Sequence, residues 1–523
     1  MKFSTLDLWI LGIYCIGIIS LAYWVSRDKG EGKTPEDYFL AGRSLPWWAI
    51  GASLIAANIS AEQIIGMSGQ GYVVGMAIAT YELTAAVALI VMAKYFLPIF
   101  IKKQIYTMPQ FLEQRFDKWV CLVLSLFWVA VYIFINLTSV LWLGSSAIHS
   151  LTGLDISYGL WALAILSLAY SLWGGLKAVA LTDAIQVVLL IFGGLTVSYI
   201  ALDKISDSQG AIVGAQILFE ALPEKFDMIL ESDNPNYANL PGVWVLIGGL
   251  WVAHFAYWGF NQYITQRALA AKSLQEAQKG VMFAAFLKLL MPLVVVLPGI
   301  CAVMLLPPLQ DTEFDSAYPK MMELLPSGLL GLTFAALVAA IVSSLASMTN
   351  SVSTIFTMDI YKQFVVQDVT DRKLVIVGRS VALISVVVAV LCAQPLLGSL
   401  ESAFQYIQNF TGFFTPGILV IFLVALFWKK ATSLSVLVAA ISSLILSLGM
   451  FLLAPDDFPF QHRMGIVFFV TGLLCYLTAL IQGYEDHEKA IVLSDINFKT
   501  SVGFNISTII VFTVLTIIYS IWW

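Results

Sequence analysis

Two ionisable side chains lie inside long apolar runs: Glu82 in TYELTAAVALI and Lys288 in FAAFLKLLMPLV. A lone charge at such depth costs ~2.5–3.5 kcal/mol or more, so each is expected to face a bundle interior or a wet cavity. Mutual neutralisation, or snorkelling to an interface, is the plainer alternative, and Lys94, near the end of its own run, fits snorkelling well. Two further runs are unusually polar. WWAIGASLIAANISAEQIIGMSG carries Asn58, Ser60, Glu62 and Gln63 close together between glycines, and GLWVAHFAYWGFNQYITQR repeats that character with His254, Gly259, Asn261 and Gln262. Such segments make poor continuous lipid-facing helices; broken at mid-membrane, they would expose backbone carbonyls and amides to a ligand. Ordinary polar contacts between helices are the bland alternative. A third run, FAALVAAIVSSLASMTNSVST, is rich in Ala and Ser, and vicinal Ser343 and Ser344 offer two hydroxyl oxygens at one level. Together with carbonyls freed by an unwound partner helix, they would suit a hard cation such as sodium, although a Ser-Ser pair taken alone more often packs than ligates.

The elements that must position these groups are membrane helices. The 523 residues are 59% hydrophobic and 11% charged, where a soluble chain carries roughly a quarter charged residues. Apolar runs of about 20 residues, the length that crosses a hydrocarbon core, recur from Leu8 to Trp523. Backbone groups in lipid must be satisfied within each segment, so the expected fold class is an all-α polytopic membrane protein in contact with a lipid bilayer. Fourteen helices are placed near 5–26, 47–74, 78–100, 119–148, 156–173, 178–202, 243–266, 280–306, 327–357, 380–399, 402–428, 432–453, 463–483 and 501–522. The net charge of −6 is spread over loops without a basic stripe, which argues against a nucleic-acid partner. Cys15, Cys121, Cys301, Cys392 and Cys475 each stand alone in an apolar run, with no disulfide or metal spacing. The first run is followed by Arg27 and Lys29 rather than by a small-residue cleavage site, and reads as a retained helix.

Alternate loops hold 20 of the 27 Lys and Arg residues and the opposite loops five, Lys94 and Lys288 lying within helices. Positive charge is retained on the cytoplasmic side, so both termini are expected to face outward from a plasma membrane, the inner one of a bacterium. The long acidic loop 203–242, with its Asn234-Pro235-Asn236 turn signal, is expected to fold over the extracellular face. Runs two to six and seven to eleven are successive sets of five, each opening with a polar, breakable helix, the layout of a five-plus-five inverted repeat. The chain then divides into 1–46, the first helix and a cytoplasmic loop; 47–202, the first repeat; 203–242, the extracellular loop; 243–428, the second repeat; and 429–523, three peripheral helices.

The segments GASLIAANISAEQ, YFLAG, GGLKAVALTDAIQ, WGFNQYITQRALAAKS, AAIVSSLASM, FTMDIYK and AFQYIQ together resemble the solute:sodium symporter family of the sodium/glucose cotransporter type, and within it the galactose-carrying bacterial members. The resemblance runs from the first helix to the last. It implies a LeuT-like core with helices two and seven broken, and sodium-coupled import of a small polar solute, a monosaccharide such as glucose or galactose, by alternating access. Sodium would be held by the carbonyls of Ala56, Ile59 and Ala340 and the hydroxyls of Ser343 and Ser344, with Asp183, near a cytoplasmic helix end, guiding its exit; a charge at a helix N-terminus is the alternative for Asp183. For solute, the resemblance implies Gln63, Glu82, Lys288 and Gln408, with Asn58 linking the solute pocket to the break in helix two. Tyr257 would stack beneath the sugar and close the inner path, and Met67, Tyr81 and Phe404 would form the outer gate.

Ala85, His254 and Ala256 stand where the galactose-carrying members have serine, asparagine and tyrosine, so a hydroxyl and an amide at the pocket are lost or replaced. His254 could bond a hydroxyl when neutral or favour a carboxylate when protonated. A sugar acid, inositol or another polar solute is therefore the alternative cargo, and a channel or sensor that keeps the fold without pumping is the alternative class. An enzyme is not expected: no nucleophile–base pair or metal cluster is present, and the four histidines, His149, His254, His462 and His487, are scattered. The sequence leaves the oligomeric state open.

Overall fold

A computed structural model describes residues 3–26, 34–366, 368–398, 403–455 and 458–523, apart from the side chains of Ala22, Ser26 and residues 170–175, 311–313, 403–406, 408 and 409. The helices that correspond to its apolar runs are, in chain order, α1 (Thr5–Ser26), α2 (Trp47–Asn58 and Glu62–Val73), α3 (Met76–Lys103), α4 (Lys118–Thr152), α5 (Ile156–Ala169), α6 (Leu176–Ile205), α7 (Leu250–Phe260 and Gln262–Leu269), α8 (Leu274–Leu305), α9 (Leu329–Val365), α10 (Asp371–Leu397), α11 (Ala403–Phe427), α12 (Ser433–Leu453), α13 (Phe460–Ile481) and α14 (Val502–Ile521). Eleven described helices are long and apolar enough to cross a membrane, or twelve with the bent α2. The expected fourteen are reached only by adding α5, which is short, and α7, which is in pieces.

The backbone is helical without interruption from Ile156 to Ile205, where two helices were expected. Its halves are nevertheless not collinear. A Cβ on Gly144 of α4 would touch both Leu163 of α5 and Ile341 of α9, while Asp183 of α6 bonds Ser343 of the same α9 turn. A straight helix would separate Leu163 from Asp183 by about 30 Å, so the run bends between α5 and α6.

Burial sorts the helices into an inner bundle and an outer ring. Of the most apolar stretch of α9, 89% is buried, against 6% in α1, 17% in α14, 22% in α12 and 28% in α13, whose apolar side chains face outward as lipid-facing surfaces do.

The inner helices carry a trace of internal repetition that their sequences hide. The first half of α2 ends at Asn58, with Ile59 extended (φ −80°, ψ 93°), and the first half of α7 ends at Phe260, with Asn261 extended (φ −75°, ψ 126°). The halves of α2 meet at 60°. In the next helix of each set the backbone widens to a π-turn just before a Leu-Pro pair: Met92–Phe96 before Leu97-Pro98 in α3, and Pro292–Val296 before Leu297-Pro298 in α8. Proline donates no N–H to the carbonyl one turn back, and a wide turn absorbs the loss. The spacing from Ile59 to Pro98 nearly equals that from Asn261 to Pro298, as two copies of one five-helix unit require.

The 203–242 segment is held at one end of the bundle. Met228 N donates to Trp522 O (2.8 Å), the Phe219 and Trp522 rings stack, and Lys225 Nζ donates to the carbonyls of Tyr72 and Val73, which cap the end of α2.

Candidate functional site

Breaking a buried helix strands backbone amides, which must find partners. In α2, Gln63 Oε1 accepts from Ser60 N (3.1 Å) and Ser60 Oγ (2.9 Å), and Ser60 Oγ accepts from Glu62 N (3.1 Å). In α7, Asn261 Oδ1 accepts from Tyr263 N (3.2 Å) and from Tyr132 Oη (2.7 Å), and Gln262 N donates back to Tyr132 Oη (2.9 Å). The polar clusters flagged in the sequence therefore do local work first. Gln63 has its oxygen engaged at the break, and its NH2 is what it has to offer a ligand.

Between the breaks lies a cavity bordered by α2, α3, α4, α7, α8 and α11. Asn58, Gln63, Glu82, His254 and Lys288 line it, as do Met67, Tyr81 and Tyr257. The expected positions Gln408 and Phe404 lie outside the described side chains; Ile407, Thr411 and Thr415 of the same helix do border the cavity.

Lys288 is almost fully buried and stands at the centre of a chain of contacts. Its ammonium donates to Glu82 Oε2 (2.5 Å) and to Asn58 Oδ1, and lies 5.1 Å from the centre of the Trp258 ring. Asn58 Nδ2 in turn donates to Tyr257 Oη (3.0 Å), which also accepts from Tyr263 Oη (2.7 Å). Four helices, α2, α3, α7 and α8, are thus joined through side chains that the sequence placed on separate runs. The two readings of Glu82 and Lys288 turn out to be compatible, since the pair neutralises itself and still faces the cavity.

His254 is fixed from behind. Its Nε2 lies 2.7 Å from Thr84 Oγ1, and that hydroxyl spends its single proton on Thr80 O (2.6 Å). With that proton on Thr80 O, the ring nitrogen is the donor to Thr84, and Nδ1 is then the acceptor when the imidazole is neutral. Tyr81 Oη accepts from Gln461 Nε2 of α13 (3.0 Å), so an outer-ring helix holds one of the expected gate residues.

A second polar focus adjoins the α2 break. Ser344 Oγ donates toward Ala57 O (3.1 Å) and Ala56 O (3.3 Å), carbonyls in the last turn before the extended Ile59. Ala340 is one turn back on α9, and all five expected sodium positions are buried. Vicinal Ser343 turns the other way, its hydroxyl donating to Asp183 Oδ1 (2.5 Å), while Ser53 Oγ donates to Asp183 Oδ2. Asp183, expected near a cytoplasmic helix end, is fully buried, 3.6 Å from Arg267 Nη2.

Arg267, read from sequence as a loop charge, is equally buried. It donates to Ser53 O (2.9 Å), to Ser53 Oγ (2.7 Å), to Tyr263 O and to Ser347 Oγ. Sequence reading assigned no site role to Arg267, Ser53, Tyr263, Glu62 or Trp258. The signal for Arg267 was its place only six residues beyond the break at Asn261, too close to have left the bundle.

Residues 38–443 match the family model described as the sodium:solute symporter family. The chain is 49% identical to a sodium/glucose cotransporter of Vibrio parahaemolyticus over 99% of this chain and 98% of that protein. It is 33% identical to sodium/myo-inositol cotransporter 2 of Homo sapiens over 84% of this chain and 69% of that one. A solved structure of a sodium-coupled sialic acid symporter, substrate-bound and outward-open, aligns with a TM-score of 0.81 at 23% identity, covering 92% of this chain and 98% of that chain. At that identity the likeness speaks for the fold, an all-helical core of the LeuT-like kind.

Proposed function

Because this chain belongs to the sodium:solute symporter family, a multi-pass membrane protein that couples solute to sodium, we propose that its solute is a neutral monosaccharide of the glucose or galactose type, carried inward. In this reading Glu82, Lys288, Asn58, Gln63 and His254 bind the sugar hydroxyls, with Gln408 joining them from α11. Tyr257 closes the inner path, and Met67, Tyr81 and Phe404 close the outer one. Sodium sits where the α2 break meets α9, held by the carbonyls of Ala56, Ile59 and Ala340 and the hydroxyls of Ser343 and Ser344, and leaves past Asp183. Both termini face outward, and the chain is a carrier rather than an enzyme.

The observation that carries this reading is the contact chain Glu82–Lys288–Asn58–Tyr257, which runs from the cavity to the α2 break where Ser344 meets two carbonyls. A cation at that break and a solute in that cavity share Asn58 as a mechanical link, so binding of one biases the helix arrangement that receives the other. A cyclitol presents the same ring of hydroxyls, and the 33% identity to an inositol cotransporter keeps inositol as the second cargo.

Uptake of radiolabelled hexoses, inositol, hexuronates and amino acids into liposomes, with and without an inward sodium gradient, tests the proposal. Hexose accumulation that collapses without sodium is the expected result. Entry of amino acids alone would remove the sugar assignment.

A further inference from the structure

The outer-ring helices α13 and α14 face mostly outward, yet both place a hydrogen bond on the same turn of α3. Gln461, fully buried in the first turn of α13, donates through Nε2 to Tyr81 Oη (3.0 Å). Tyr519, near the end of α14, donates to Oγ1 of the neighbouring Thr80 (2.9 Å). Successive helix residues point about 100° apart, so the turn is gripped from two sides. Each grip is firmly mounted. A Cβ on Gly249, which leads into α7, would strike Gln461 O, so the start of α13 is seated against the start of α7. Beside Tyr519, Trp522 O accepts from Met228 N of the 203–242 segment, and Lys225 of that segment holds the carbonyls of Tyr72 and Val73 just before α3 begins. Behind the gripped turn, Thr80 O accepts from Thr84 Oγ1, the partner of His254, and the Tyr81 ring stands edge-on to the His254 ring, 6.5 Å between centres.

Resting on the reading of Tyr81 as an outer-gate residue, we infer that Gln461 and Tyr519 are positioning residues of that gate: from outside the solute cavity they hold the Thr80–Tyr81 turn in the setting from which the gate closes. Neither is among the residues lining the cavity. The physical reason lies in the freedom of the phenol. Its side-chain torsions sample several settings until a partner fixes them, and a lid that wanders populates its closed form less. Transport passes through that closed form, so turnover falls when the grip is lost, whereas the groups that meet solute are untouched and affinity holds.

The full-length protein in liposomes gives the test. Sodium-driven uptake of labelled glucose or galactose is divided by the number of sodium-dependent hexose-binding sites, so that a variant that merely folds poorly loses sites but not rate per site. Gln461→Met keeps the length of the side chain and removes the donor; the rate per site should fall about three- to tenfold, the effect of one lost hydrogen bond, with the hexose dissociation constant changed less than about twofold. Tyr81→Phe should slow transport similarly, and the double variant should be no slower than the slower single one. Tyr519→Phe, which removes one oxygen atom, should lower the rate per site with the same unchanged affinity, and it decides the matter where Gln461→Met does not fold. Full rate per site in Gln461→Met or in Tyr519→Phe, losses that multiply in the Gln461–Tyr81 double variant, or affinity that falls in step with rate would each overturn the inference. A wild type that accumulates no hexose would instead remove the sugar reading, and the same ratios taken with the solute that does enter would decide the grip.

Discussion

The Glu82–Lys288 pair is where single residues matter most. Two charges sealed from water are tolerable only together, and removing one leaves the other buried without its counter-charge. Lys288→Met or Glu82→Gln alone should lower stability by about 3–5 kcal/mol, while the double substitution should cost less than the sum of the two. Thermal midpoints of the four proteins in one detergent would measure this, and additive losses would mean that the pair is not coupled. The vicinal serines should separate in the same way. Ser344 touches the α2 carbonyls and Ser343 touches Asp183, so Ser344→Ala should raise the sodium concentration for half-maximal uptake by about tenfold, the loss of ~1.4 kcal/mol of binding. Sodium dependence that survives Ser344→Ala combined with Ser343→Ala would remove the cation from that place.

At the scale of elements, the short helix Met108–Arg115 between α3 and α4 is tied at three points. Gln262, just past the α7 break, accepts from Met108 N (2.8 Å) and donates to Tyr106 O (3.1 Å); Thr107 Oγ1, its N-cap, donates to Asp359 Oδ1 of α9 (2.9 Å); and Arg115 donates to carbonyls of Ala425, Trp428, Lys429 and Ala431 where α11 ends. A helix C-terminus strands its last carbonyls, and a buried guanidinium is well shaped to collect them. Gln262→Ala should therefore loosen this helix without emptying the cavity. The expected signature is faster amide exchange over 106–115, with solute affinity changed less than transport rate; unaltered exchange there would show the tether to be idle. Nearly every helix was legible because an apolar run in lipid has one way to satisfy its backbone. Where α5 passes into α6 was harder to read: the helix assignment continues there, and the bend between the halves shows only in their packing against α9.

For the whole molecule, coupling is a matter of available free energy. At 100 mV and a tenfold sodium gradient, one ion supplies ~2.3 kcal/mol from the potential and ~1.4 kcal/mol from the concentration difference, a ceiling of several hundredfold solute accumulation at one sodium per solute. Collapsing the potential with an ionophore should lower that ceiling to about tenfold. Accumulation well beyond several hundredfold would require a second ion.

The amino-acid order alone determined that the chain is a helical membrane protein, that α2 and α7 break, and that Glu82, Lys288, Ser343 and Ser344 lie where lipid would not tolerate idle polarity. Each of these follows from local chemistry: the length of an apolar run, the charge within it, the polar residues that stand in for lost backbone bonds. Only the tertiary structure decided that Lys288 reaches Asn58 as well as Glu82, that Ser343 and Ser344 face different partners, and that Arg267 is an interior cation beside Asp183. Those facts depend on which helix faces meet across the bundle, and a face has no partner until the packing brings one within hydrogen-bonding distance.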